Sequence, residues 1–110
     1  MNMKPINTLL AAALCATGIA AHAAITKDEH KAAVQNAETS YKAAKEACKS
    51  LAGNAKDVCG AEAKVQKTYS VAKADSEYKD TVKARFDAQK DVAGAEYDLA
   101  KTKCEAKAGN

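Results

Sequence analysis

Cys48, Cys59 and Cys104, with the single histidine His30, are the side chains beyond residue 23 from which a redox, metal or nucleophilic centre would be built. Their spacing excludes most such centres. No Cys-x-x-Cys occurs and no strand pattern surrounds the thiols, so a thioredoxin-type redox motif is absent. Asp28, Glu29 and His30 occupy consecutive positions that cannot share one helix face, so they do not form a zinc set. His30 therefore reads as a solvated helix residue. It also approaches no nucleophile in the context of a hydrolytic triad. The carboxylates each have a lysine within one helical turn and read as i,i+4 partners rather than as acids held protonated. No glycine-rich phosphate loop occurs. The four tyrosines, Tyr41, Tyr69, Tyr78 and Tyr97, read as apolar area on alanine-rich stripes with their hydroxyls at the rim, in preference to a stacking ladder for a ligand. No catalytic, metal-binding or cofactor-binding residue is assigned, and no cofactor is expected.

The thiols have a structural use instead. Cys48 lies five residues before Gly53, and Cys59 lies five residues after Asn54. A straight helix through this region would hold the two about 16 Å apart, beyond any disulfide. If the chain reverses at Gly53-Asn54, they face one another. The expected pairing is Cys48–Cys59, in preference to either with Cys104, and closing so short a loop is worth about 2–3 kcal/mol.

An oxidising compartment is implied by the first 23 residues. Lys4 supplies a basic start, Leu9 to Ala21 an apolar stretch, and Ala21-His22-Ala23 a small-x-small cleavage site. The run is too short for a membrane span, and Leu14 before Cys15 does not fit a lipid-attachment site. Residues 1–23 are thus expected to be a cleaved signal peptide, and residues 24–110 a periplasmic, secreted mature chain with no stable membrane insertion. The leader carries one lysine and no acid, so the whole chain's net +3 becomes +2. That balance, with signs alternating as in Lys27-Asp-Glu-His-Lys31, excludes a nucleic-acid-binding face and describes solvated helix surface.

The elements that position the cysteines are helical. Ala, Lys, Glu and Gln dominate, and the mature part has no proline. Large apolar side chains are few, so only a thin core is possible. Thr26-Lys-Asp-Glu29 reads as a capping box, followed by the stripe Val34, Ala37, Tyr41, Ala44, Cys48 and Leu51. Gly53 reads as a left-handed helix stop and Asn54 as the cap of the next helix. That helix carries Val58, Ala61, Val65, Tyr69 and Ala72, and then its stripe slips to Val71, Ala74 and Tyr78. A third stretch carries Val82, Phe86, Gln89, Ala93, Tyr97, Ala100 and Cys104. The slip leaves two readings open for Ala55 to Ala108, a break near Lys73–Thr81 or one long helix with a drifting face. The expected fold is all-α, an αα-hairpin turning at Gly53-Asn54 with a long or broken second arm.

The chain also repeats itself. Tyr41 to Asn54 aligns without gaps to Tyr97 to Asn110, matching Tyr, Cys and Gly-Asn in one register. The first copy leads on to Cys59; the second reaches Asn110 before an equivalent cysteine. Cys104 is then the odd thiol. It either links two copies in a homodimer or stays free in a monomer.

With the leader, the composition and the segments Tyr41-Lys-Ala-Ala-Lys-Glu-Ala-Cys48 and Leu51-Ala-Gly-Asn-Ala-Lys-Asp-Val-Cys59, the chain resembles short, secreted, Ala/Lys-rich helical proteins of Gram-negative proteobacteria, labelled cell-envelope or TolA-like on composition. Members often complete the second cysteine unit and carry a proline near the middle, where this chain has Val82. The resemblance implies a compartment and a shape. The expected role is non-enzymatic: structural or protein-interaction work in the cell envelope, in which striped helices pack on other helices or on their own copies as coiled coils do. The alternative is a small periplasmic stress chaperone or inhibitor that binds clients, which requires a contiguous exposed apolar patch.

Overall fold

A computed structural model describes residues 24–108. The expected leader 1–23 and the final Gly109-Asn110 lie outside the described residues.

Three helices follow one another: α1 (Lys27–Cys48), α2 (Gly53–Lys79) and α3 (Val82–Ala108). The second arm is therefore broken, and it folds back. Helix α2 packs on both α1 and α3, whereas α1 and α3 do not pack on one another. The expected αα-hairpin with a long or broken second arm is thus a thin row of three helices with α2 in the middle, because the broken arm folds back on itself.

Each helix end has a local cause. At the start of α1, the Glu29 amide donates to Thr26 Oγ1 at 3.2 Å and the Thr26 amide donates to Glu29 Oε2 at 2.7 Å, completing the capping box. The reversal after α1 takes Lys49 to Ala52 and ends on Gly53, whose φ of +59° is left-handed. Asn54 lies inside the first turn of α2, and Ala52 stands at the N-cap with no side-chain hydrogen bond. The reversal is therefore longer than the Gly-Asn pair expected from the sequence. The reversal recruits four more residues from the end of α1. Amides of Lys49 and Leu51 satisfy the Glu46 and Cys48 carbonyls.

The second reversal is built from Asp80 and Thr81. Asp80 is left-handed at φ 47° and its amide donates to the Ser76 carbonyl, which closes α2. The Thr81 hydroxyl accepts from the Ala84 amide at 3.0 Å and so caps α3. Arg85 spans the corner, donating to Asp80 Oδ1 at 3.0 Å.

The slip in the stripe of α2 has a packing explanation beyond the break. A central helix needs two apolar faces. Tyr78 meets α1 by stacking on His30, while Val65 lies near Leu99 of α3. The core is almost entirely alanine: Ala37, Ala63, Ala72, Ala74, Ala84 and Ala95 are buried together with Cys48. Among the described residues no large side chain is fully buried.

Candidate functional site

Cys48 and Cys59 form a disulfide across the first reversal, with Cα atoms 5.7 Å apart. Cys48 is buried and Cys59 half-buried, so the bond staples the C-terminal end of α1 to the first turns of α2. At the opposite end of the same helix pair, His30 Nε2 and Asp75 Oδ1 lie 2.6 Å apart, and the His30 ring stacks on Tyr78 with centroids separated by 4.8 Å. The Ile25 amide donates to the Glu77 carbonyl beside them. His30 is thus a half-buried clasp rather than the solvated residue its sequence context suggests. Nothing local could have revealed a contact 45 residues apart.

Several of the carboxylates are held in ion pairs. Lys73–Glu77 and Lys83–Asp87 are i,i+4 pairs, as the spacing predicts. Glu38–Lys67, Asp98–Lys64 and Glu62–Lys103 pair between helices instead. Hydrogen bonds from the Thr26 backbone and side chain hold Glu29 below its ordinary pKa, and the Lys83 ammonium does the same for Asp87. Tyr41 lies half-buried beneath two ammonium groups, Lys67 at 4.8 Å and Lys45 at 5.4 Å. Among the described residues no three His, Cys, Asp or Glu side chains gather as a metal site, and no helix is long and apolar enough to cross a membrane. An open depression of about 760 Å³ beside the disulfide is lined by Lys42, Lys45, Lys49 and Lys56, but Glu46, Asp57 and Glu105 share it, so it has no single sign.

The surface that stands apart is the outer face of α3. Its buried residues are Ala84 and Ala95, and Ala88, Leu99, Thr102 and Ala106 are half-buried. Since among the described residues α3 packs only on α2, that alanine line is its contact face. At 100° per residue, the stripe read from the sequence lies on the opposite side of the helix. Val82, Phe86 and Tyr97 are 77%, 64% and 69% exposed, and Gln89, Ala93, Ala100 and the free thiol Cys104 are exposed with them. Helix α3 carries two lines of small or apolar residues, and the smaller one packs because alanines let the helices approach closely, with Lys64–Asp98 and Glu62–Lys103 alongside.

The two copies of the internal repeat therefore meet different surroundings. Tyr41 is half-buried and Cys48 buried against α2, whereas their counterparts Tyr97 and Cys104 are exposed. No protein-family model, no curated protein and no solved structure matches the chain.

Proposed function

We propose that this protein is an exported, non-enzymatic structural or protein-interaction element of the bacterial cell envelope, and that it works through the outer face of α3. One observation carries the reading: Val82, Phe86 and Tyr97 sit in line on the side of α3 that faces away from its own chain. Leaving such side chains in water forgoes about 1.5–3 kcal/mol each for a Val or Phe on full burial, a cost that a partner helix offsets. The stripe is one residue wide, which suits a helix better than a broad surface. The Cys48–Cys59 bond fits an oxidising compartment.

The chaperone reading draws on the same side chains, and Tyr69, 55% exposed, widens the apolar area beside Val92 and Ala93. A holdase assay on the mature chain separates it, since suppression of client aggregation is expected only of a chaperone. The main test is a photo-crosslinking residue at position 86 or 97, compared with position 42 on the exposed side of α1. Discrete adducts in the periplasm are expected from 86 and 97 and not from 42. Equal, diffuse labelling from all three, or none, overturns the proposal. Fractionation and intact mass test the address: a mature chain starting at Ala24 is expected, and a cytoplasmic chain retaining residues 1–23 refutes it.

A further inference from the structure

The exposed residues Val82, Phe86, Gln89, Ala93, Tyr97, Ala100 and Cys104 are spaced 4, 3 and 4 apart and repeat every 11 positions. A period of 11 keeps them on one line at about 3.67 residues per turn, which is the pattern of a helix-pairing seam. The first copy of the repeat shows what such a line does when it is covered. In α1 the Tyr-x6-Cys unit lies against a neighbouring helix and its cysteine is bonded to that helix. In α3 the same unit has no helix upon it among the described residues.

We infer that the α3 stripe is covered by the α3 stripe of a second copy of this chain, the two helices parallel and in register and joined by a Cys104–Cys104 disulfide. The inference rests on the interaction reading above and names its partner. With axes about 8–10 Å apart and Cα atoms about 2.3 Å from each axis, residues facing across the seam have Cα atoms about 3.4–5.4 Å apart. That range overlaps the one a disulfide needs. An antiparallel pair would set Cys104 against the partner's Val82 and hold the two thiols about 33 Å apart.

Charge selects the same register. Glu96 and Lys101 flank the stripe on opposite sides, five positions apart, and neither is in an ion pair among the described residues. In a parallel pair this is the flanking spacing that brings Glu96 of one copy to Lys101 of the partner subunit, twice by symmetry. The one like-charge approach, Arg85 to the partner's Lys90, is relieved because Arg85 already holds Asp80 at 3.0 Å. Gln89 faces its counterpart, where paired amides hydrogen-bond only in register.

Area explains the thiol. A seam about 33 Å long and about 10 Å wide buries about 330 Å² on each copy, well below the roughly 1,200 Å² in total of a stable interface. The non-covalent pair is weak, and a bond at its end makes the contact intramolecular, at an effective concentration of about millimolar. In the bond-forming step one Cys104 thiolate attacks a disulfide oxidant of the compartment and expels one thiolate. The partner's Cys104 thiolate then attacks the mixed disulfide and expels the second. Two protein thiols are oxidised to one disulfide, and one oxidant disulfide is reduced to two thiols.

The test uses the mature chain in a glutathione redox buffer, read by light scattering and non-reducing gels, with circular dichroism to check folding. Wild type is expected to be a covalent dimer, and Cys104→Ser a monomer at micromolar concentration. Moving the thiol to the other end of the seam, in Val82→Cys/Cys104→Ser, is expected to restore the covalent dimer. Glu96→Lys is expected to slow cross-linking about tenfold, and Glu96→Lys/Lys101→Glu to recover it. A monomeric Val82→Cys/Cys104→Ser protein overturns the inference, as does a dimer indifferent to both reduction and Cys104→Ser. If wild type stays monomeric while position 86 captures a different protein, the self-pairing falls and the interaction reading stands. If neither occurs, both fall.

Discussion

Replacing both stapling cysteines, as Cys48→Ala/Cys59→Ala, should release α1 while leaving α2 and α3 together. Alanine at both sites prevents a freed thiol from exchanging with Cys104. The bond closes a separation of 11 residues, for which chain-entropy reasoning gives about 3 kcal/mol. Helix α1 has little else. Only Ala37 and Cys48 are buried on it, with Ala33, Val34, Tyr41 and Ala44 half-buried, and its polar and aromatic ties to α2 are the Glu38–Lys67 pair at 2.7 Å, the His30–Asp75 contact at 2.6 Å, the His30–Tyr78 stack, Lys67 over Tyr41 and the Ile25–Glu77 hydrogen bond at 3.2 Å. Each contributes about 1 kcal/mol or less. The staple is thus the largest single contribution to α1 docking. For a domain of this size 1 kcal/mol moves Tm by about 4–8 °C, so a fall of about 10–20 °C is expected in thermal melts followed at 222 nm. Hydrogen exchange then localises the loss: amides of α1 should exchange fastest, and those along the α2–α3 contact should keep their protection. A melting point within about 3 °C of wild type would refute the reasoning, as would loss of protection spread evenly over all three helices.

Other perturbations separate the remaining devices. Thr81→Ala removes the cap of α3 and is expected to cost about 1 kcal/mol in urea unfolding, with the break between α2 and α3 retained. Gly53→Ala places a Cβ at φ +59°, where space is open but the backbone is strained, and a loss of about 1 kcal/mol is expected in the same assay. His30→Ala removes both the Asp75 contact and the Tyr78 stack, and a fall of about 1 kcal/mol is expected, with exchange rising first near Ile25 and Glu77. Because Glu29 is held below its ordinary pKa by Thr26, its contribution is fully present above the ordinary carboxylate range. That contribution is lost as pH falls through the lowered folded value. Glu29→Gln should therefore flatten the acid side of the Tm–pH curve, and an unchanged acid limb would contradict the capping box as its source.

Much of the fold was legible because its signals are local. A capping box is set by four adjacent residues, and Thr26 and Glu29 make both of its bonds. The cysteine spacing around a reversal is almost as local, since only a turn brings Cys48 and Cys59 within reach. The turn itself was less legible. Gly53 is left-handed as its type suggests, but nothing in Lys49 to Ala52 marks that α1 already ends at Cys48. The His30 clasp was illegible, because Asp75 and Tyr78 become its neighbours only after α2 has folded back along α1.

The stripe of α3 shows where periodicity alone stops. It identifies a line of apolar residues on a helix, but not whether that line meets the chain's own helices or another surface. Two lines compete on α3, and size suggests that Val82, Phe86 and Tyr97 belong inside. The structure places Ala84, Ala88 and Ala95 against α2 instead, the same kind of side chain that α2 offers in Ala72. In so thin a molecule the alanines build the inside because they allow close approach, and the larger side chains are left outside on a line that ends in a free thiol. The copy of that unit in α1 is covered by a helix and locked by a disulfide; the copy in α3 has the same residue types at the same spacing and lacks only the cover. A second chain is the one surface that brings the identical line, the opposite flanking charge and the matching thiol together.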